Sequence, residues 1–289
     1  MIERMIVMKD FNEYFRFDDK DEKPLETLLE SGGFSAIFRS IGCIGDSLSS
    51  GELEAVKKDG TRSYHDYFEH SWGQYIARAN GALVHNFSRG GMTASEYCES
   101  FAEARGFWDP SLAAEAYIIA LGVNDVSRAA YQHQQNPEEQ PVYLGNPETD
   151  IDLEDWHNNA KTFVGYYAQI IQRMREISPK CRIFLSTCPR QTGLPGWRDA
   201  AYDLHRELLY KFAEIFEFVY VIDLRKYAPV YDENFHKHFF MGGHLNTMGY
   251  LLTARLMMTY IDYIIRHNSE DFIQAGFIGK GVHSECHKW

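Results

Sequence analysis

The sequence predicts an α/β domain in which helices cover both faces of a parallel sheet, and three observations support this. Five short apolar runs are rich in β-branched or aromatic residues, as expected of strands that are buried on both faces. Helical patterns lie between these runs, and such alternation is typical of parallel sheets with right-handed crossovers. The 289 residues contain no repeat, low-complexity tract or linker that would separate two cores, so we expect a single domain.

The expected elements follow one another along the chain. The strands are predicted at residues 38–44, 82–87, 116–121, 181–186 and 218–222. The helices are predicted at residues 66–80, 93–105, 157–176, 198–216 and 247–266. Two segments fall outside this alternation. One is an N-terminal extension of about residues 1–35, in which Pro24 favours the start of a short helix. The other is a polar insertion of about residues 126–156, which is longer than most connections in compact domains.

Charge and hydrophobicity limit the classes of protein and partner. The chain has 41 acidic and 29 basic side chains, a formal net charge of −12, and 45% hydrophobic residues. This hydrophobic content excludes a disordered chain, and the negative field repels nucleic acids and anionic membranes, so we expect neither as a partner. The apolar stretch at residues 250–265 is interrupted by Thr253, Arg255 and Asp262, whereas a membrane span needs about 20 mainly apolar residues. We expect a core helix there.

The cysteines and the N-terminal residues indicate the cellular compartment. Lys9 and Asp10 come before a signal-peptide apolar region can form. The cysteines are odd in number, scattered and without Cys-x-x-Cys spacing, which favours reduced thiols. They are Cys43, Cys98, Cys181, Cys188 and Cys286. We therefore expect a cytoplasmic protein.

Four polar segments follow predicted strands, and together they have the parts needed for acyl transfer. In open parallel sheets, ligands bind outside the carboxyl ends of the strands. The segments are Gly45-Asp46-Ser47 after the first strand, Arg89-Gly90-Gly91 after the second, Gly122-Val123-Asn124-Asp125 after the third, and Gly242-Gly243-His244 in the loop after the fifth. Each alone also fits an ordinary turn, helix cap or surface histidine. Their coincidence at four strand ends favours a catalytic site.

The expected roles follow from the chemistry of serine hydrolysis, which needs a hydroxyl, a base for its proton and donors for the developing oxyanion. Ser47 is the expected nucleophile, and His244 is the expected base and later the acid to the leaving group. The oxyanion would be held by the backbone N–H groups of Ser47 and Gly91 and by the side-chain amide of Asn124.

These segments resemble the conserved blocks of the SGNH hydrolase superfamily, also called GDSL esterases and lipases, over about residues 38–263. The matching residues are Ile44-Gly45-Asp46-Ser47-Leu48, the segment 86–91, Gly122-Val123-Asn124-Asp125 and Gly243-His244-Leu245-Asn246 followed by Gly249-Tyr250. The resemblance implies a flavodoxin-like three-layer α/β/α fold with a five-stranded parallel sheet. It also implies ester hydrolysis without a metal or other cofactor, with the roles given above.

One position departs from this family. The family usually has an aspartate three residues before its histidine, and this chain has Met241 there. Loss of the equivalent acid in other serine hydrolases lowers the rate by about three to four orders of magnitude. Asp223, Asp232 and Glu233 are candidate replacements, and a Ser–His dyad or a backbone carbonyl as the orienting group are the alternatives.

Two other functions compete with the serine esterase. His236, His238 and His244 are close in sequence, so a zinc or manganese hydrolase is conceivable, with Asp46 or Asp232 as a further ligand. No metal motif of defined spacing, such as His-Glu-x-x-His, is present. A binding protein that has lost catalysis is the other alternative, and Met241 favours it. The chain has no phosphate-binding glycine fingerprint and no Gly-x-Ser-x-Gly elbow.

The expected substrate is a small ester with a short acyl chain. Five aromatic residues near the site loops are candidates for stacking on sugar rings, which would suit the deacetylation of a carbohydrate, although each is also compatible with the core. They are Trp72, Tyr131, Tyr143, Trp156 and Trp197. No apolar lid for long acyl chains is evident.

Overall fold

Nine strands form one large sheet and two hairpins in this computed structural model, which describes residues 21–135 and 142–273. In chain order they are β1 (Ser40–Gly45), β2 (Glu52–Val56), β3 (Arg62–Asp66), β4 (Leu83–Ser88), β5 (Ala116–Ala120), β6 (Arg182–Ser186), β7 (Val219–Ile222), β8 (Phe240–Met241) and β9 (His244–Leu245). The central sheet has the order β4-β1-β5-β6-β7, and all its neighbouring strands are parallel. β2 and β3 form one antiparallel hairpin and β8 and β9 another.

The helices surround this sheet. They are α1 (Ser47–Ser50), α2 (Trp72–Asn80), α3 (residues 94–104, with a π-helical turn at Tyr97–Phe101), α4 (Val123–Gln135), α5 (Pro147–Asp150), α6 (Phe163–Ile177), α7 (Gly196–Ile215), α8 (Leu224–Tyr227), α9 (Glu233–Phe239), α10 (Thr247–His267) and α11 (Ser269–Phe272). Short 3-10 turns lie at Gly33–Ile37, Phe68–His70, Pro110–Leu112 and Trp156–Asn158.

Successive residues of the central strands pack into two separate cores. Ile118 faces a cluster formed mainly with α2 and α10, whereas Ile119 faces a cluster formed with α3, α6 and α7. Because side chains alternate along a strand, a strand buried on both faces needs apolar residues at every position. This packing gives the three-layer α/β/α arrangement that the sequence predicts.

The five predicted sheet strands and the alternation with helices are confirmed, with boundaries that shift by one or two residues. Helix α2 begins at Trp72 rather than at residue 66, because the Ser71 side chain caps it by accepting a hydrogen bond from Gln74 N. Likewise α6 begins at Phe163, after the cap Thr162.

Three further segments differ from the expectation. Residues 52–66 form the hairpin β2–β3, which the sequence analysis assigned to no element before residue 66. The helix expected after Pro24 does not form, and residues 21–32 make turns instead. Within the polar insertion, α4 continues to Gln135 and α5 forms a second short helix. Residues 1–20 of the extension and residues 136–141 of the insertion lie outside the described residues.

The described part of the N-terminal extension packs against α10. Arg266 binds both carboxylate oxygens of Glu22, at 2.6 and 2.8 Å, and also Asp262. Asp262 in turn accepts a hydrogen bond from Phe34 N at 2.7 Å. In the part of the chain that the structure describes, no helix combines the length and the apolar character needed to cross a membrane. Cys43, Cys98, Cys181 and Cys188 are buried free thiols, and Cys286 lies outside the described residues.

Candidate active site

Ser47 is the first residue of α1, directly after the carboxyl end of β1. The turn between them is fixed by Asp46, whose carboxylate accepts a hydrogen bond from Leu48 N at 3.0 Å and whose carbonyl accepts from the N–H groups of Ser49 and Ser50. A capping aspartate satisfies donors that the start of a helix leaves free. Ser47 is therefore held at the edge of the sheet, partly exposed to solvent.

Asn124 connects this turn to the two neighbouring strand ends. Its amide nitrogen lies 3.3 Å from Asp46 Oδ2 and 3.1 Å from the carbonyl oxygen of Met92, the residue after Gly91. The backbone N–H groups of Ser47 and Gly91 donate to no acceptor among the described residues. The structure thus brings three of the four predicted segments together around one buried network, with two free backbone donors beside it.

Two buried carboxyl groups support this network. Burial raises the pKa of Asp46 to about 7, and the nearby carboxylates of Asp125 and Glu52 contribute to this shift. Burial also raises the pKa of Asp125 to about 6. Asp125 Oδ1 accepts a hydrogen bond from Ala94 N at 3.0 Å, whereas its buried Oδ2 has no partner. Both acids therefore hold a proton to a higher pH than an exposed aspartate does.

His244 lies on the hairpin β8–β9, opposite Met241 across the two strands. The strand that carries it contacts α1, and Asn246 fixes its far end by capping α10 through Gly249 N at 3.0 Å. The position three residues before the histidine is thus the cross-strand partner of His244. In this chain it has a half-exposed thioether rather than a carboxylate.

Glu54, on β2, faces the Nδ1 atom of His244. Its Oε2 lies 3.6 Å from Nδ1, which is buried and has no hydrogen-bond partner. The same Oε2 accepts a hydrogen bond from Gly243 N at 2.6 Å, and Oε1 accepts from Arg62 at 2.7 Å. The Gly243 N–H, with help from Arg62 and His244, holds the pKa of Glu54 below its ordinary value although burial opposes this. Glu54 is therefore a buried carboxylate that is ionised at neutral pH.

Glu52, two residues earlier on the same strand, contacts the other ring nitrogen. Its Oε1 lies 3.1 Å from His244 Nε2. Burial raises the pKa of Glu52, and the neighbouring carboxylates of Asp66 and Glu54 add to this while His244 opposes it. A β-carbon at Gly90 would lie only 2.1 Å from Glu52 Oε2, so the glycine makes room for this carboxylate.

The three acids predicted from the sequence do not contact His244. Asp223 is buried, where it binds Arg206 Nε at 2.6 Å and Tyr210 at 3.0 Å. Asp232 caps α9 through Phe235 N, and Glu233 is exposed on the first turn of α9. Of the acids in the described ranges, only Glu52 and Glu54 have a carboxylate oxygen within 4.0 Å of a His244 ring nitrogen. The sequence does not indicate either of them, because both lie on β2, far along the chain from the fifth strand and the histidine.

The predicted nucleophile and base are not hydrogen bonded to each other in this structure. The Ser47 hydroxyl makes no hydrogen bond with any described residue, and Nε2 of His244 faces Glu52. Tyr250 links the two regions, because its hydroxyl lies 2.7 Å from the carbonyl oxygen of Glu52 and 3.3 Å from that of Ser47. The serine and the Glu52–His244 pair are therefore neighbours. A Ser47–His244 contact requires Nε2 to leave Glu52.

The structure does not gather the three histidines of the metal alternative. His236 stacks on Phe240, and His238 is bonded to the carbonyl oxygen of Asn234 at 2.8 Å. Within residues 21–135 and 142–273, no group of three or more His, Cys, Asp or Glu side chains is arranged to hold a metal ion.

The five candidate aromatic residues have different environments. Trp72 is 1% exposed and belongs to the core, so the core alternative is confirmed for it. Tyr131 and Tyr143 are exposed, and Trp156 stacks on His157. Trp197 is half-buried at the start of α7. A sixth aromatic residue, the exposed Tyr64 on β3, lies edge-on to the ring of His244 with 5.7 Å between ring centroids.

The model of the GDSL-like Lipase/Acylhydrolase family matches residues 43–252, which include Ser47, Gly91, Asn124 and His244. The chain belongs to this family. The match covers most of the central sheet and both hairpins. A sequence search of curated proteins finds no match.

Three solved structures with the same fold are distant in sequence from this chain. A protein from Lactobacillus plantarum is 16% identical with a TM-score of 0.52, over 78% of this chain and 97% of that one. An active-site mutant of a family two carbohydrate esterase from Clostridium thermocellum is 18% identical with a TM-score of 0.50, over 80% of this chain. A family 2 carbohydrate esterase with a carbohydrate binding domain, from Corynascus thermopiles (Myceliophthora fergusii), is 17% identical with a TM-score of 0.50, over 77% of this chain. This chain spans 64% and 65% of those two esterases. These similarities show the SGNH hydrolase fold.

Proposed function

We propose that this protein is a serine ester hydrolase that forms an acyl-enzyme on Ser47. The observation that carries the proposal is the Asn124 network, because it ties the Ser47 turn to the Gly91 loop beside two unpaired backbone N–H groups. The two backbone N–H groups are unpaired and fixed before the reaction, so they can stabilise an oxyanion without reorganisation. In this proposal the N–H groups of Ser47 and Gly91 and the Asn124 amide hold the oxyanion, and Asn124 releases one of its present acceptors to do so.

His244 is the proposed base. Ser47 Oγ attacks the ester carbonyl carbon, its proton passes to His244 Nε2, and the tetrahedral intermediate breaks down when that proton passes to the leaving alkoxide. Water then repeats the sequence on the acyl-enzyme and regenerates the serine. Nε2 can accept a proton only when its lone pair is free, so the contact between Glu52 Oε1 and Nε2 must break first. In apo structures of enzymes, catalytic hydrogen bonds are often long and tighten when substrate binds.

The proposed substrate is a short acyl ester, and an O-acetylated carbohydrate is the first candidate. Tyr64 supports a sugar because an exposed aromatic ring beside the base offers a stacking surface for the alcohol part of the ester. Two of the solved structures with this fold are carbohydrate esterases, which suggests the same class of ester.

The test combines active-site labelling with a substrate series. A serine-directed phosphonate should form an adduct on Ser47, located by mass spectrometry, and Ser47→Ala should neither label nor turn over. We expect a fall in kcat of at least about 10⁴-fold, because only binding and oxyanion stabilisation remain. Ser111→Ala, an exposed serine before β5, is the matched control and should keep the parental rate.

The acyl series separates the substrate classes. Model esters of increasing acyl length, with an acetylated sugar among them, should show the highest kcat/KM for acetyl groups. Folded protein that neither labels with the phosphonate nor hydrolyses any ester would favour the binding-protein alternative. Turnover that survives in Ser47→Ala would contradict the mechanism.

A further inference from the structure

We propose that Glu54 is the positioning residue for His244, supplied by the hairpin β2–β3 in place of the acid that the family usually has three residues before its histidine. This inference rests on the proposed function, because it assigns a role to Glu54 only if His244 is the base. Nothing in the sequence pattern of the family indicates this residue, since it lies 190 positions before His244.

The backbone turn beside His244 leaves room for the Glu54 carboxylate. Met241 and His244 are directly paired across β8 and β9, joined by Gly242 and Gly243. A β-carbon at Gly242 would lie 2.4 to 2.6 Å from the carboxylate atoms of Glu54. The carboxylate therefore occupies the space that a side chain on this turn would need, and it approaches the ring from the side of the turn.

The Glu54 carboxylate is held in place independently of the histidine. It is 1% exposed, and it accepts hydrogen bonds from Gly243 N at 2.6 Å and from Arg62 at 2.7 Å. Its Oε2 atom is 3.6 Å from His244 Nδ1, which has no other partner among the described residues. A buried polar atom without a partner is unfavourable, so a hydrogen bond between these two atoms is favoured. A shift of about 0.6 Å brings this pair to ordinary hydrogen-bond length, near 3.0 Å.

This placement selects the productive tautomer of the ring. A carboxylate at Nδ1 favours a proton on that nitrogen, which leaves the Nε2 lone pair free to take the proton of Ser47 Oγ. When the imidazolium forms, the negative charge of Glu54 stabilises it, and the charge disappears from the ring when Nε2 gives its proton to the leaving alkoxide. Ionised Glu52 favours the opposite tautomer, with the proton on Nε2. The two glutamates thus compete for one ring, and only Glu54 supports the base.

The experiment compares four variants on a short acyl ester. Glu54→Gln keeps the length of the side chain and an acceptor for Gly243 N but removes the charge, and we expect kcat to fall by about 10³- to 10⁴-fold with little change in KM. Glu54→Asp keeps the charge but shortens the side chain, and it should retain more of kcat than Glu54→Gln. A purely structural role predicts the reverse order, because the shorter side chain loses more packing and the Gly243 contact.

Two further variants and one readout complete the design. Glu115→Gln changes another buried glutamate, which accepts from Arg39 N at the opposite edge of the sheet, and it should keep the parental kcat. Glu52→Gln tests the neighbouring carboxylate directly. Thermal unfolding of each variant confirms that it is folded before its rate is compared.

The outcomes separate this inference from the proposed function. If wild-type Ser47 is labelled by the phosphonate and Glu54→Gln labels and turns over within about tenfold of wild type, the inference is wrong and the serine mechanism stands. If Glu52→Gln shows the 10³-fold loss and Glu54→Gln does not, the positioning residue is Glu52. If wild type is neither labelled nor active, the proposed function itself fails.

Discussion

Replacing Asp46 by asparagine tests the electrostatics at the carboxyl ends of the central strands. Asp46 is 1% exposed, and burial raises its pKa from 3.8 to about 7. Asparagine is as good a helix cap as aspartate, so the hydrogen bond from Leu48 N survives while the charge is removed. Its amide nitrogen cannot accept from Asn124 Nδ2 as Asp46 Oδ2 does, but this loss does not depend on pH. The pH dependence of the difference between the two proteins therefore isolates the cost of ionising the buried carboxyl group.

The sign and size follow from the shift in pKa. Because the folded state holds the Asp46 proton more tightly than the unfolded state, this group stabilises the fold fully below pH 3.8, and the stabilisation is lost as the pH rises through about 7. At 1.36 kcal/mol per pKa unit the full effect is about 4 kcal/mol, of which about 3 kcal/mol falls between pH 5 and pH 8. Asp46→Asn lacks this dependence on pH. Its free energy of unfolding should therefore rise by that amount, relative to wild type, between pH 5 and pH 8.

The assay is the free energy of unfolding in urea for both proteins at several pH values between 5 and 8. The difference between them is the quantity to follow, because other groups affect both curves. His205 is one such group: burial lowers its pKa to about 4, so its contribution to stability is lost as the pH falls from about 6.5 towards 4. Asp232→Asn makes the same exchange at an exposed helix cap and measures the cost of the exchange itself. A wild-type minus Asp46→Asn difference that stays constant from pH 5 to pH 8 would refute the reasoning.

Two predictions concern the chemistry directly. Asn124→Ala removes the side-chain donor of the proposed oxyanion hole, so kcat should fall by about 100- to 1,000-fold with KM nearly unchanged, and an effect confined to KM would make Asn124 a binding residue instead. Treatment with a chelator that strips zinc and manganese should leave ester hydrolysis unaltered, because no proposed step uses a cation; loss of activity that one metal restores would support the metal hydrolase.

The sequence predicts the sheet well because most of its strands are buried on both faces. Such strands are apolar runs that are too short for a buried helix and are bounded by turn residues. The same reasoning predicts the site residues at the strand ends, and the structure places Asn124 between the Ser47 turn and Met92, the residue after Gly91. The hairpin β2–β3 cannot be predicted from apolar runs, because only one of its residues, Glu54, is buried. The signal that could have found it is Asp59-Gly60, a turn pair between two short alternating runs.

The identity of the acid beside His244 depends on hairpin register rather than on any motif. Successive side chains of a strand point to opposite faces, so Glu52 and Glu54, two residues apart, face the same way and reach the two nitrogens of one ring. Glu54 is paired with Tyr64, which contacts the same ring from β3. A slip of one residue would turn both carboxylates away from the histidine. The proposed catalytic geometry therefore depends on the register of the short hairpin β2–β3, outside the main sheet, as much as on His244 itself.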